Sequence, residues 1–171
     1  MSTRAIVIFP KGDHAVEIDR LRAKFDPLAL AIAPHITLVF PFESDITTAD
    51  LVAHVENALS GMSSFPIRLA RVVGHANEYL YLNIERGGAG LIELHTRLYS
   101  GSMAPHRSLE HTYAPHLTIG RLQTRAAFVE ALAHATTIET VVATEAHEVA
   151  VVQLDETGRW RTEAKVPLRP R

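Results

Sequence analysis

The chain contains no cysteine, which removes disulfides, thiolate catalysis and Cys-ligated zinc from consideration together. It also lacks an excess of charge of either sign. With 17 Lys and Arg against 19 Asp and Glu, the formal net charge is −2. That balance argues against bulk electrostatic binding of long nucleic acid but leaves room for a local site holding one or a few phosphates. Aromatic residues make up only 6% of the chain, with a single Trp. No apolar run reaches the length of a membrane span, and the Ala5-Ile6-Val7-Ile8-Phe9 stretch near the N-terminus is too short for a signal peptide. Low-complexity sequence and Pro/Gly-rich linkers are missing too. The expectation is one cytoplasmic domain over residues 1–171, large enough to bury about 70% of its unfolded surface.

What is present is a repeat. Ala33-Pro34-His35-Ile36-Thr37-Leu38 returns as Ala114-Pro115-His116-Leu117-Thr118-Ile119, so that the two histidines stand about half the 171-residue chain apart. In a strand, alternate side chains share a face, so His35 and Thr37 point one way while Ile36 and Leu38 point the other. His116 and Thr118 do the same over Leu117 and Ile119. Each copy therefore offers an imidazole beside a hydroxyl, with aliphatic residues anchoring the back. Pro34 and Pro115 bias the preceding alanines to extended backbone and suit the first residue of a strand. His-x-Thr alone is too short to be informative in a chain with ten histidines. His134-Ala135-Thr136 also matches it, but follows a stretch of helical periodicity and reads as helix surface. The Ala-Pro prefix and the flanking apolar alternation, kept in both copies, set the other two apart.

Around the repeat the chain alternates strands and helices. Ala5 to Phe9 reads as a buried strand, and Ile18, Leu21 and Phe25 as one helix face with Asp13 as a candidate N-cap. A second helix starts near Thr48, placing Leu51, Val52, Val55 and Leu59 on one side and Gly61 just past its end. Ile67 to Val73 and Tyr79 to Glu85 form an expected hairpin around Gly74-His75-Ala76-Asn77. Leu91, Leu94 and Leu98 mark a third helix, and Arg125 to Ala135 a fourth. Two or three strands close the chain, the last pair joined near Glu156-Thr157-Gly158. The segment from Ser102 to Ala114, with two histidines and an arginine, reads as a candidate substrate loop. The expected class is α+β: a bilobal, pseudo-two-fold pair of mainly antiparallel sheets with outer helices and a central cleft.

With these residues in view, the chain resembles the 2H phosphoesterase superfamily, which includes the 2′-5′ RNA ligase-like proteins. The signature of that family is a pair of His-apolar-Thr/Ser-apolar motifs, matched here by Pro34 to Leu38 and Pro115 to Ile119. The likeness extends to Val39-Phe40-Pro41-Phe42, to Leu91 through Leu98, and to Gly120-Arg121. It implies a bilobal fold with both motifs on facing central strands. The implied activity is opening of 2′,3′-cyclic phosphate ends of RNA or nucleotides, commonly to a 2′-phosphate, with 2′-5′ ligation as the reverse. A related cyclic or 2′-5′-linked nucleotide, or a non-catalytic RNA-end binding module on the same fold, are the alternatives.

The chemistry also follows from the side chains. Hydrolysis of a cyclic phosphodiester needs a base for water and an acid for the leaving ribose oxygen, and histidine suits both tasks near neutral pH. The two tasks require opposite protonation states, hence two imidazoles. Thr37 and Thr118 can donate to the non-bridging oxygens as charge builds. No cofactor or metal is needed for this scheme. Arg121 is the nearest candidate cation for the phosphate, although strict alternation from His116 would turn it away from the cleft. Tyr113 is a candidate base-stacking residue, although its parity matches Leu117. His106, His111 and His116 stand five apart, which is not the spacing of helical metal ligands. His14, His54, His75, His95 and His147 show no pattern and read as surface or locally bonded. The partners expected are RNA ends or cyclic nucleotides, with no membrane, and the protein is expected to be a monomer.

Overall fold

The computed structural model describes residues 1–12, 15–108, 110 and 112–171. Among the described residues, eight strands and four α-helices follow in the order β1 (Ser2–Ile8), α1 (Ala15–Phe25), β2 (Ile36–Ser44), α2 (Thr48–Leu59), β3 (Phe65–His75), β4 (Tyr79–Arg86), α3 (Gly88–Leu98), β5 (His116–Arg121), α4 (Arg125–Thr136), β6 (Val141–Ala146), β7 (Glu148–Leu154) and β8 (Trp160–Pro167). The apolar spacings explain the helices. Leu51, Val55, Ala58 and Leu59 are the buried face of α2, and the Thr47 side chain caps its start by accepting from the Asp50 N–H. Thr124 does the same for α4 through the Ala127 N–H. Ile18 and Leu21 of α1 are buried, while the candidate N-cap Asp13 lies outside the described residues.

The strands form one curled antiparallel sheet in the order β6-β3-β4-β5-β2-β1-β7-β8. Two four-stranded lobes meet at its centre, where β2 and β5 share one pair, Ile36 with Leu117, among the described residues. The expected pair of sheets is thus one sheet joined at a narrow waist. A pseudo-two-fold axis through that waist relates β2 to β5 and β1 to β4. It also relates β7, beside β1, to β3, beside β4, so each lobe takes two strands from each half of the chain. The helices lie on the outer, convex side over a continuous apolar core that includes Ile6, Ile36, Leu38, Leu82, Leu94 and Leu117. Gly120 allows α1 to lie close on β5, because a Cβ there would sit 2.9 Å from the Phe25 Cβ.

Two details differ from the sequence pattern. The β3–β4 turn comes later than expected: β3 runs through Gly74 to His75, and Ala76 and Asn77 make the turn with φ of 53° and 56°. Positive φ at two successive central residues is the hairpin geometry that matches strand twist. The segment after α3 is not an open loop from the start, since Gly101–His106 is a 3₁₀ helix anchored by fully buried Met103. The expected closing strands are present as three after α4. The last two are joined where the Asp155 side chain accepts from the Thr157 and Arg159 N–H groups.

Candidate active site

The waist pair fixes where the repeated motifs stand. Stepping one residue either way from Ile36–Leu117 sets His35 across from Thr118 and His116 across from Thr37, as antiparallel pairing requires. Ile36 and Leu117 are fully buried in the core, so the four polar side chains share the opposite, concave face and are half-buried there. The two histidines are diagonal neighbours across the pair, which in regular sheet geometry stand about 7–8 Å apart, with their Cβ atoms somewhat closer. The structure thus brings His35, Thr37, His116 and Thr118 together in one cleft.

Both imidazoles are oriented by the same local device. His35 Nδ1 lies 2.9 Å from the Ala33 carbonyl, and His116 Nδ1 lies 2.8 Å from the Ala114 carbonyl. A carbonyl can only accept, so Nδ1 carries the proton and Nε2 is the nitrogen left for chemistry. The repeated Ala-Pro prefix acquires a purpose from this: it holds the carbonyl two residues back within reach of the ring. The bond alone does not mark a working histidine, because His147 makes one like it to Glu145 at 3.1 Å. What distinguishes His35 and His116 is that they make it on facing strands.

The surroundings of the two rings differ. Tyr81 of β4 stacks on His116 with ring centroids 3.7 Å apart, and His75 and Tyr79 continue the aromatic row at 5.4 and 5.8 Å from Tyr81. The two β4 tyrosines therefore face the cleft. His35 instead has the edge of Phe9 at 6.4 Å. Burial pushes the His35 pKa below the ordinary 6.5, partly offset by its bond to Ala33; Arg22 and His116 push it further down and Asp26 back up. Arg22 and Asp26 are themselves a buried ion pair at 2.8 Å. Burial also lowers His116, again against its Ala114 bond, and nearby His75 adds to the lowering.

A bulge corrects the expected orientation of Arg121. Tyr81 pairs with Thr118, but Tyr79 pairs with Arg121, so Ile119 is an extra residue in β5. That insertion resets the alternation and turns Arg121 to the same face as Thr118 and Tyr79. Its guanidinium lies over the Tyr79 ring at 5.3 Å and its Nε donates to Glu78 Oε1 at 2.6 Å. The first motif carries the same insertion: Val7 pairs with Thr37 and Ile6 with Val39, leaving Leu38 as the extra residue.

Tyr113 is committed to other contacts. Its hydroxyl donates to the Thr37 carbonyl at 2.7 Å, and its ring lies parallel to that of His95 at 3.8 Å. His95 is buried, not at the surface, and its Nδ1 donates to the Leu38 carbonyl at 2.8 Å. The sequence pattern did carry this signal, since position 95 continues the apolar stripe of Leu91, Leu94 and Leu98 one turn after Leu91. Among the other histidines, His54 bonds the Leu98 carbonyl at 2.8 Å and His134 lies on α4 beside Lys24 and Phe25. His106 packs on Phe42, and His14 and His111 are outside the described residues. Among the described residues no three His, Asp or Glu side chains are grouped as metal ligands, and no helix is long and apolar enough to cross a membrane.

Comparison with known proteins agrees with this fold. Residues 10–158 match the family model described as the 2′-5′ RNA ligase superfamily. A relative from Bacillus cereus (strain B4264), named "Putative phosphoesterase", is 33% identical over 119 residues, covering 68% of this chain and 67% of that one. Among solved structures, one titled as a phosphoesterase is similar with a TM-score of 0.68 at 18% identity, covering 99% of both chains. E. coli LigT complexed with 3′-AMP is similar with a TM-score of 0.62 at 17% identity, covering 98% of both.

Proposed function

From the premise that the chain belongs to the 2′-5′ RNA ligase superfamily, we propose that it is a phosphodiesterase opening 2′,3′-cyclic phosphate termini of RNA or nucleotides. One observation carries this reading: two His-x-Thr motifs cross at a single strand pair, each with Nδ1 spent on a carbonyl and Nε2 free. A cyclic phosphodiester seated between the rings meets one Nε2 on each side. The unprotonated Nε2 takes a proton from water as its oxygen attacks phosphorus. The P–O3′ bond breaks, and the protonated Nε2 opposite gives its proton to O3′, leaving a 2′-phosphate and a 3′-hydroxyl. Thr37 and Thr118 donate to the non-bridging oxygens. Arg121, turned inward by the bulge at Ile119, supplies positive charge at the edge of the same face. Side chains provide acid, base and anion donors, so the scheme runs without metal or cofactor. With a 5′-hydroxyl in place of water, the same groups open the cyclic phosphate to a 2′-5′ phosphodiester and a free 3′-hydroxyl, which is 2′-5′ ligation.

The test is a panel of 2′,3′-cyclic nucleotides, RNA with a 2′,3′-cyclic end, 2′-5′ oligoadenylate and cyclic phosphates of ADP-ribose. The reading expects turnover of the first two with a 2′-phosphate product. Turnover confined to the last two would move the substrate to other 2′-5′-linked or cyclic nucleotides. Tight binding with no turnover of any would make the fold a binding module.

A further inference from the structure

The geometry points to Tyr113, backed by His95 and Tyr99, as a positioning device that sets the first motif against the second. The inference deepens the proposed reaction and rests on it for its kinetic readout. Three backbone groups in and beside the bulge of β2 are taken by side chains. The Thr37 carbonyl accepts from the Tyr113 hydroxyl, the Leu38 carbonyl from His95 Nδ1, and the Phe40 N–H donates to the Tyr99 hydroxyl oxygen at 3.0 Å. Leu38 is the inserted residue of the bulge, and β5 is paired with β2 at Ile36. A bulge interrupts the ladder and leaves backbone groups to be satisfied elsewhere. These three side chains satisfy them.

The three rings also form one packed unit. Tyr113 and His95 are parallel, with a 2° interplanar angle, and Tyr99 meets His95 edge-on at 4.9 Å. Burial lowers the His95 pKa, partly offset by its bond to Leu38, with Arg107 adding to the lowering. The ring is thus kept neutral, with the Nδ1 proton that the bond to Leu38 needs. Burial raises the Tyr113 hydroxyl pKa well above its ordinary value, so it stays a donor at any working pH.

Position in the chain gives this unit its functional meaning. Tyr113 stands three residues before His116, yet its hydroxyl holds the carbonyl of Thr37, the hydroxyl-bearing residue of the other motif. It is therefore a direct strap between the two half-sites, which otherwise share one strand pair. His95, on α3 of the second half, holds the next carbonyl along. The distance between His35 and His116 is set by this strap, and proton transfer across a phosphate is sensitive to displacement of about 1 Å. Tyr113 is accordingly a positioning residue and not a surface for a base, since its hydroxyl and one ring face are already engaged.

The experiment compares Tyr113→Phe, His95→Leu and His95→Asn with wild type. Tyr113→Phe removes one hydroxyl and keeps the ring stack. It should lower kcat for a 2′,3′-cyclic nucleotide about 10- to 100-fold with KM nearly unchanged and with the melting temperature close to wild type. His95→Asn places an N–H where Nδ1 lay and should recover most of the kcat lost in His95→Leu. In a His35→Ala background, Tyr113→Phe should cost almost nothing more, because the strap acts through the first motif. Full kcat in folded Tyr113→Phe, or a loss that multiplies undiminished with His35→Ala, overturns the inference. A second arm needs no turnover: NMR of labelled histidine rings should show His35 shifted or broadened in Tyr113→Phe while His134 is unchanged. If wild type turns over nothing, the proposed reaction fails and the NMR arm alone decides, an unmoved His35 signal counting against the strap.

Discussion

Each motif histidine spends its Nδ1 proton on the carbonyl two residues back, so replacing either ring removes one Nε2 from the cleft and nothing from the core. His35→Ala and His116→Ala should each cost roughly 10²–10⁴ in rate, the usual range for a positioned proton-transfer group. The double variant should fall well short of the product of the two losses, because acid and base act as a unit. A near-wild-type rate in one single variant would make that motif structural. The pH profile follows from burial. Both rings titrate below 6.5 in the free protein, so the limb set by loss of the acid's proton moves down in pH. The optimum of kcat/KM should lie on the acidic side of 6.5, bell-shaped, with limbs belonging to the pair. A bound phosphodiester favours the imidazolium, so the kcat profile should lie at higher pH. Stability carries the same sign. His35, His95 and His116 have lowered pKa values when folded, so the unfolded chain binds more protons between those values and 6.5. Stability is complete above that window and falls as pH drops through it. Denaturant titrations across pH should show this slope, and it should be smaller in His95→Asn.

Strands and helices were legible wherever one face is buried, as with Leu51, Val55 and Leu59 of α2 or Ile36 and Leu38 of β2. Alternation could not reveal an inserted residue. The bulge at Ile119 reverses the parity of everything after it, which is why simple counting from His116 turned Arg121 outward while the register turns it inward. Tyr113 showed the opposite failure: its parity was readable, but the hydroxyl's partner lies 76 residues away, beyond any local pattern. His95 stands on a readable apolar stripe, but histidine as a type is intermediate in burial, so its identity alone did not place it in the core. Element packing yields its own prediction at Gly120. A methyl there would press on Phe25 at 2.9 Å, and overpacking of this kind costs about 1–3 kcal/mol. Gly120→Ala should therefore lower stability by that order in denaturant melts and separate α1 from β5. An unchanged melting curve would mean that the helix yields freely.

Across the whole molecule, the repeat in the sequence becomes a repeat in space. Two four-stranded lobes share a sheet and a continuous apolar core, and each half of the chain contributes two strands to each lobe. We expect the 171 residues to unfold in one transition for that reason, with coincident curves from backbone and aromatic signals. The waist is the place where so cooperative a frame brings two half-sites to a single phosphate. The most direct measurement is turnover of an RNA bearing a 2′,3′-cyclic phosphate end, in the presence of EDTA, by wild type, His35→Ala and His116→Ala. Wild type should give a 2′-phosphate product at full rate in chelator, and both variants should lose about 10²-fold or more. Activity abolished by EDTA and restored by one divalent ion, or retained in either histidine variant, would contradict it.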